Sequence, residues 1–375
     1  MKVIKNLPRI LLGITFIFSG FVKGIDPWGS AYKFTDYFHA MGMEWLTWAA
    51  FPFGILLAFA EFAIGVGLLF NLFIKITSWL AFVFMAFFLP LTLWIAIKNP
   101  VTDCGCFGDA LVISNWETFY KNIVLMAFAI IVIKYKKDMN CILGNKIASV
   151  FGIATVVTYF AIVFYSYNHE PIFDFRPYKV GANIPESMKI PEGAPKDIYE
   201  NIFYYKNKTT GEVQKFTEQN YPWQDTANWV YENMESKLIK AGYKPPIHDF
   251  TIQSRDGEDV KDFFLYDKNY VFILVAHNLE KSSRKPQEKI NTLASWATEN
   301  GLSFICMTSS LTDQSDAFKE ETGAPYEFFN CDEITLKTII RSNPGLIVIK
   351  NGIVFEKWHY NDIPTPEEFK AEFMK

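Results

Sequence analysis

The sequence predicts a membrane-embedded α-helical bundle followed by a water-soluble α/β domain. Three observations carry that expectation: composition changes at Tyr167, five long apolar stretches precede that point, and strand and helix patterns alternate from about residue 246. Over 375 residues the hydrophobic content is 50% and the aromatic content 17%, averages that conceal a sharp split. Up to Tyr167 the chain is mostly Phe, Leu, Ile, Ala, Trp and Val, whereas from Asn168 onward it is polar, charged and rich in Pro and Asn. The net charge of −4 is modest and the soluble half has no basic block, which argues against nucleic acid as a partner.

Five stretches, near 7–25, 47–70, 75–97, 117–134 and 147–167, reach the ~18–20 apolar residues needed to cross a bilayer. The expected division is therefore a four-helix transmembrane bundle over 1–140 and a fifth transmembrane helix in 141–168. An outer lead-in segment follows over 169–245, and the α/β domain occupies 246–375. The first stretch follows Lys2, Lys5 and Arg9 as a signal peptide would, but no small-x-small cleavage site follows "FIFSGFVKGIDP", so it is expected to be retained. If the helices alternate, those three residues, Lys75, Lys134, Lys136, Lys137 and Lys146 share one side. By the positive-inside rule that side is cytoplasmic. A bacterial inner-membrane protein with a cytoplasmic N-terminus is expected, its 98–116 loop and C-terminal domain lying together in the periplasm.

That loop contains "DCGCFGD", residues 103–109. Thiols are oxidised outside the cytosol, so Cys104 and Cys106 are expected to form or cycle through a disulfide. A bridge between residues two apart closes a small ring, which Gly105 suits because it has no Cβ. Two other readings stay open: a partial metal site using Asp103 or Asp109, and inert loop thiols. Two sulfurs without a nearby histidine make a poor zinc site, and no metal is expected. Cys141 falls in a predicted cytoplasmic loop and carries no expected role.

An ionisable group within lipid is costly unless paired or facing a cavity. Glu61, near the middle of the second stretch, is therefore a candidate for proton handling or for contact with a quinone, set against a structural hydrogen bond to a neighbouring helix. Lys23, followed by Asp26, is expected to snorkel to the interface. Pro52 and Pro90 read as helix kinks or ends.

The run "RILLGITFIFSGFVKGIDP" (Arg9 to Pro27), Ala60 and Glu61 followed by Gly65, and "CGCFGD" resemble the DoxX-like and MauE families of small four-helix membrane proteins, over about residues 5–135. MauE is associated with maturation of a disulfide-rich methylamine dehydrogenase subunit and DoxX-type proteins with quinone-linked sulfur oxidation. The resemblance implies that Cys104 and Cys106 are a redox pair and that a quinone is the cofactor. A fifth helix and a large outer domain depart from the short family members.

In the lead-in, prolines at 171, 177, 185, 191, 195 and 222 exclude a long early helix. "NIFYYKNKTTGEVQKFT" reads as a hairpin turning near Thr210 and Gly211. "DTANWVYENMESKLIKAG" reads as a helix begun by Asp225 and closed by Gly242. Beyond it, "YVFILVA" is a buried strand, Gln287 to Asn300 an amphipathic helix, and "LSFICMT" a second strand. A helix near 313–322 and one opened by Asp332 precede a hairpin turning at Asn351 and Gly352. Thr365, Pro366 and Glu368 then open the last helix.

That order, with "IIRSNPGLIVIKNGIV", is similar to the thioredoxin-like fold, and the resemblance implies that Pro344 is its cis-proline. The stretch where active members carry C-x-x-C is "AHNLEKSSRK", Ala276 to Lys285, which holds no cysteine, so the domain reads as degenerate. Cys306 and Cys331 are expected as buried small hydrophobes or a structural bridge, and His277 as a satisfied surface histidine.

Together these readings describe a membrane-anchored thiol–disulfide redox protein of the cell envelope. Cys104 and Cys106 would do the chemistry, Glu61 would handle protons, a quinone would accept electrons, and the degenerate domain would bind an envelope protein client or a larger membrane complex. The rival is a non-enzymatic membrane scaffold. A transporter is disfavoured, because Glu61 is the one clearly ionisable residue deep in the membrane region and no internal repeat is evident.

Overall fold

Helices α1 (Lys2–Ile25), α2 (Pro27–Ala40), α3 (Ala50–Phe70), α4 (Ile74–Lys98), α5 (Asn115–Tyr135) and α6 (Asn145–Asn168) build the N-terminal region. The computed structural model describes residues 2–139, 144–240 and 242–374; Cys141 lies outside the described residues. Among the described residues, five helical spans are long and apolar enough to cross a membrane: Asn6–Ile25, Glu44–Phe70, Ile74–Lys98, Asn115–Asp138 and Lys146–Asn168. They fall where the apolar stretches predict them.

The tightest helix contact is α1 against α3, and small residues make it possible. A Cβ on Gly20 would lie 2.5 Å from the Ala58 carbonyl oxygen, and one on Gly65 would lie 2.5 Å from the Ile17 nitrogen. Around this seam Leu12, Phe16, Ile64, Leu68, Met85, Leu125 and Ala129 form the bundle core. The buried Arg9 guanidinium donates to the carbonyls of Leu68 and Leu69 at the end of α3, where the helix dipole favours a cation. Tyr159 and Val163 of α6 pack on Ala58.

Helix α2 has no counterpart in the sequence expectation. Asp26 caps it, its carboxylate accepting from Gly29 N at 2.9 Å, and Pro27 occupies the first turn. At 14 residues and weakly amphipathic, it lacks the long apolar run that marks a span.

Residues 183–250 form a separate compact unit. It holds a short helix α7 (Ile184–Ser187) and a three-stranded antiparallel sheet in the order β2-β1-β3, made from β1 (Ile198–Asn207), β2 (Val213–Thr217) and β3 (Trp229–Lys240). The hairpin lies where the sequence places it, whereas the expected helix from Asp225 to Gly242 is strand β3. Asp225 does accept from the Asn228 backbone, as an N-cap would, but the β-forming trio Trp229, Val230 and Tyr231 pairs with β1 instead. The pairing of whole strands outweighs a local cap.

The remaining chain carries α8 (Lys261–Leu265), β4 (Tyr270–Val275), α9 (Gln287–Glu299), β5 (Ser303–Thr308), α10 (Thr312–Thr322), β6 (Glu327–Asn330), α11 (Glu333–Ile339), β7 (Gly345–Lys350), β8 (Ile353–His359) and α12 (Pro366–Phe373). The sheet order is β6-β5-β4-β7-β8, with β4, β5 and β6 parallel and β7 and β8 antiparallel. Every residue of β4 is buried, because helices cover both faces of the central strand. Phe272, Leu274, Leu293, Ala297, Val348 and Phe369 form the core on one face. Asn351 and Gly352 take positive φ angles of 50° and 73°, as the tight β7–β8 turn requires. The Thr365–Glu368 capping box is formed, and the Asn343–Pro344 bond is cis. Topology and cis-proline together make this a thioredoxin-like domain.

An ionic cluster after α6 ties the membrane region to this domain. Buried Arg176 bonds Asp174 at 2.7 Å and Glu170 at 3.0 Å, and Lys357 of β8 reaches Asp174 at 2.7 Å. Burial pushes the Asp174 carboxyl up, but Arg176 and Lys357 hold it well below the usual carboxylate range.

Candidate redox loop

The CGC loop rests on two helices. From α2, Lys33 bonds Asp103 at 2.7 Å and the Tyr37 hydroxyl donates to the Cys104 carbonyl at 2.9 Å; the two are one helical turn apart and share a face. From α1, the Ser19 hydroxyl lies 2.6 Å from the Cys106 carbonyl oxygen and 2.9 Å from Glu61 Oε2. Asp103 accepts from Gly105 N at 2.9 Å, closing a local turn in which Gly105 has a φ of +66°. Each of the two cysteines thus has its backbone carbonyl tied to a different helix.

Their sulfurs lie 3.1 Å apart, and both stand as free thiols. They are electrostatically unequal. A hydrogen bond from Cys104 and the positive charges of Lys121 and Lys23 outweigh burial and lower the Cys106 thiol to about 6. The same hydrogen bond, with burial, pushes the Cys104 thiol strongly up. Of the two, Cys106 is the one whose thiolate the loop favours.

Lys23 does not snorkel. Its ammonium lies 2.9 and 2.8 Å from the two Glu61 carboxylate oxygens and 3.1 Å from Ser19 Oγ, and the Lys23 and Glu61 side chains are only 11% and 9% exposed. An α3 carboxylate in the bundle offers a nearby lysine more than the interface does, because an unpaired buried charge costs several kcal/mol. Glu61, Lys23, Ser19 and the Cys106 carbonyl form one connected polar chain from bundle to loop.

The thioredoxin-like domain meets the same face. Arg341 bonds Asp26 at 2.7 Å and Asp109 at 2.8 Å, and Lys337 and Arg341 lie over the Tyr32 ring at 4.8 and 5.5 Å. Burial alone would raise the Asp26 carboxyl, but Arg341 holds it below its ordinary range, whereas burial keeps Asp109 above it. Arg341, which makes these contacts, precedes the cis Asn343–Pro344 bond by two residues. The stretch 276–285 sits beside it, with Asn343 Nδ2 donating to the Asn278 carbonyl at 2.8 Å and Ser283 N to the Asn343 carbonyl at 2.9 Å.

Cys306 and Cys331 are buried free thiols and form no bridge. Burial pushes both up, Cys331 to about 11. His277 is half-buried rather than a satisfied surface residue: its Nδ1 has no partner, and burial with Lys337 nearby lowers it to about 4. Sequence reasoning missed Ser19, Lys33, Tyr37, Lys121 and Arg341. The spacing of Ser19 and Lys23, and of Lys33 and Tyr37, was a visible signal for the first three; no local pattern marks the other two.

Residues 1–135 match the family described as methylamine utilisation protein MauE, and residues 199–241 match a domain of unknown function, DUF8463. No curated protein matches this chain. Among solved structures, a Bacteroides thetaiotaomicron protein provisionally named a protein disulfide isomerase matches at 17% identity, covering 33% of this chain and 80% of its own, with a TM-score of 0.27. Residues 1–135 are a MauE-family membrane region, continued in the same chain by a fifth apolar helix and a thioredoxin-like domain.

Proposed function

We propose that this protein is a membrane-anchored thiol–disulfide oxidoreductase of the bacterial cell envelope, working through Cys104 and Cys106. The observation that carries the reading is the unequal pair: two sulfurs 3.1 Å apart, one thiol lowered and its neighbour raised. The distribution of Lys and Arg supports an inner-membrane protein with a cytoplasmic N-terminus and a periplasmic loop and C-terminal domain.

In the oxidised state a client thiolate attacks the Cys104 sulfur, because Cys106, with the lower pKa, is the better leaving group. The Cys104–Cys106 bond breaks, a client–Cys104 bond forms, and Cys106 leaves as a thiolate facing Lys121 and Lys23. A second client thiolate then attacks the client sulfur of that mixed disulfide and expels Cys104, which takes up a proton. The client has lost two electrons as a new disulfide, and the loop has gained them.

Reoxidation needs a two-electron acceptor, and a lipid-soluble quinone, which takes two electrons and two protons when bound, is the class we name. Phe18 and Phe107, 5.5 Å apart, form an aromatic surface beside the pair against which such a head group would stack. In this reading Glu61, which accepts from Ser19 and Lys23, would be the residue that relays protons between bundle and loop. The thioredoxin-like domain has no cysteine in 276–285, so it positions a client, or docks a larger membrane complex, beside the loop and does not oxidise the client itself.

Thiol trapping in intact cells tests this reading, with acid quench and mass-tag alkylation of wild type, Cys104→Ser and Cys106→Ser before and after a pulse of reductant. The expected result is a loop disulfide that reforms after the reductant is removed, and a mixed-disulfide client captured through Cys104 in Cys106→Ser. Thiols that stay reduced in every sample, with no trapped client, would replace the oxidoreductase by a membrane scaffold.

A further inference from the structure

Strand β3 is the long edge of the sheet in residues 183–250. It pairs with β1 on one side, and among the described residues no strand pairs with its other side. It runs for 12 residues with nearly every side chain exposed, including Val230, Tyr231, Met234, Leu238 and Ile239. An edge of this length, with open backbone N–H and C=O groups, is a template for another strand. Its charges are segregated: Glu232 and Glu235 precede Lys237 and Lys240.

Symmetry restricts what this edge can do with a second copy of itself. In an antiparallel pair, directly opposed residues both point their backbone groups toward the partner or both away. Residues of β3 must therefore oppose residues of the same parity, and the two-fold axis passes through a residue rather than between two. Asn233–Leu238, which pair regularly with Tyr204–Tyr199 of β1, keep that alternation; bulges fall at Glu232 and Ile239 on either side. An axis at Glu235 would oppose Glu235 to Glu235, and one at Lys237 would oppose Lys237 to Lys237. An axis at Ser236 opposes Glu235 to Lys237 twice and Met234 to Leu238 twice, and beyond the bulges it brings Glu232 toward Lys240.

We infer that the protein self-associates through β3, two copies pairing antiparallel about Ser236 into a continuous six-stranded sheet. Opposite charges facing across strands stabilise a pair while like charges opposed destabilise it, so the charge order selects this register. The contact is isologous and closes at two copies, as a two-fold interface requires.

The test uses the full chain in native membrane vesicles. Ser236 faces its own copy at a Cα separation of ~4.5–5.5 Å, within disulfide reach, whereas Lys240 lies eight residues along from its copy, on the order of 27 Å. With copper phenanthroline, Ser236→Cys is expected to give a dimer band well above wild type and Lys240→Cys. In the Ser236→Cys background, Glu235→Lys is expected to abolish the band, and adding Lys237→Glu to restore it. Crosslinking of Ser236→Cys no stronger than Lys240→Cys, or a band indifferent to Glu235→Lys, would overturn the inference.

Discussion

Cys104 and Cys106 differ by two positions in sequence and by their whole electrostatic setting. The lowered Cys106 thiol means that the reduced loop is stabilised by its thiolate above the ordinary thiol range. That contribution falls away as pH drops through about 6. A stabilised reduced form makes the disulfide a stronger oxidant, so oxidising power relative to an ordinary dithiol is expected to grow as pH rises from about 6 toward the ordinary thiol range and to fade in acid. Iodoacetamide labelling of the reduced protein across pH is expected to show one thiol with a midpoint near 6, lost in Cys106→Ser, and a second that stays slow throughout. Lys121→Ala should move the first midpoint upward, and an unmoved midpoint would remove Lys121 from the account. Gly105 is the other residue that decides this loop. At φ +66° an alanine pays ~1–2 kcal/mol, and its Cβ would crowd Lys33 Cγ at 3.1 Å. Gly105→Ala is therefore expected to slow closure of the disulfide, measured as reoxidation time after a reductant pulse, with little change in the unfolding temperature of the bundle.

At the scale of elements, the contact between α1 and α3 shows a charged pair and close-packed glycines serving one seam. Removing one partner of a buried pair leaves the other uncompensated, so Lys23→Met is expected to destabilise the bundle by ~3–5 kcal/mol, whereas Lys23→Met with Glu61→Leu recovers most of that loss. Unfolding temperatures in nanodiscs check this, and a double variant as unstable as the single would show that the pair is not the coupled unit described here. If the double variant recovers stability but not client oxidation, the polar chain through Ser19 serves chemistry rather than folding. The elements that were legible in the sequence are those with one dominant signal: spans by apolar length, β4 by its unbroken burial, the last helix by its cap. Where two signals competed, the longer-range one decided. Asp225 offered a helix start and the chain made β3, because β1 supplied a full ladder of partners. Helix α2 was missed for the opposite reason, its Asp26–Pro27 start being followed by no strong periodicity. Glu61 was readable as exceptional because one carboxylate amid apolar residues needs a partner, but that its partner is Lys23 depends on which faces of α1 and α3 meet.

Across the whole molecule, the thioredoxin-like domain holds no cysteine in 276–285, and it meets the membrane region beside the CGC loop through Arg341. Arg341 makes that arrangement, and neither Arg341 nor its partners Asp26 and Asp109 announced themselves, since pairing at separations of 315 and 232 residues leaves no trace in local periodicity. The guanidinium is 13% exposed and bonds two carboxylates, one capping α2 and the other three residues beyond Cys106. A fork-shaped cation holding two acids from different elements fixes their relative position, which a single surface ion pair would not. Removing it should therefore act on the loop and not only on the domain. Arg341→Met is expected to speed alkylation of reduced Cys104 and Cys106 several-fold. Lys350→Met, on the far end of β7, should leave those rates unchanged. Because the Asp109 side chain is 38% exposed, salt at about 1 M, where the Debye length is ~3 Å, should move wild type part of the way toward the variant. Labelling rates that are identical in Arg341→Met and wild type at both salt levels would mean that the domain does not govern access to the pair. A rate change confined to Arg341→Met would instead locate the hold in the buried bonds to Asp26, the less exposed of the two acids, rather than in long-range attraction.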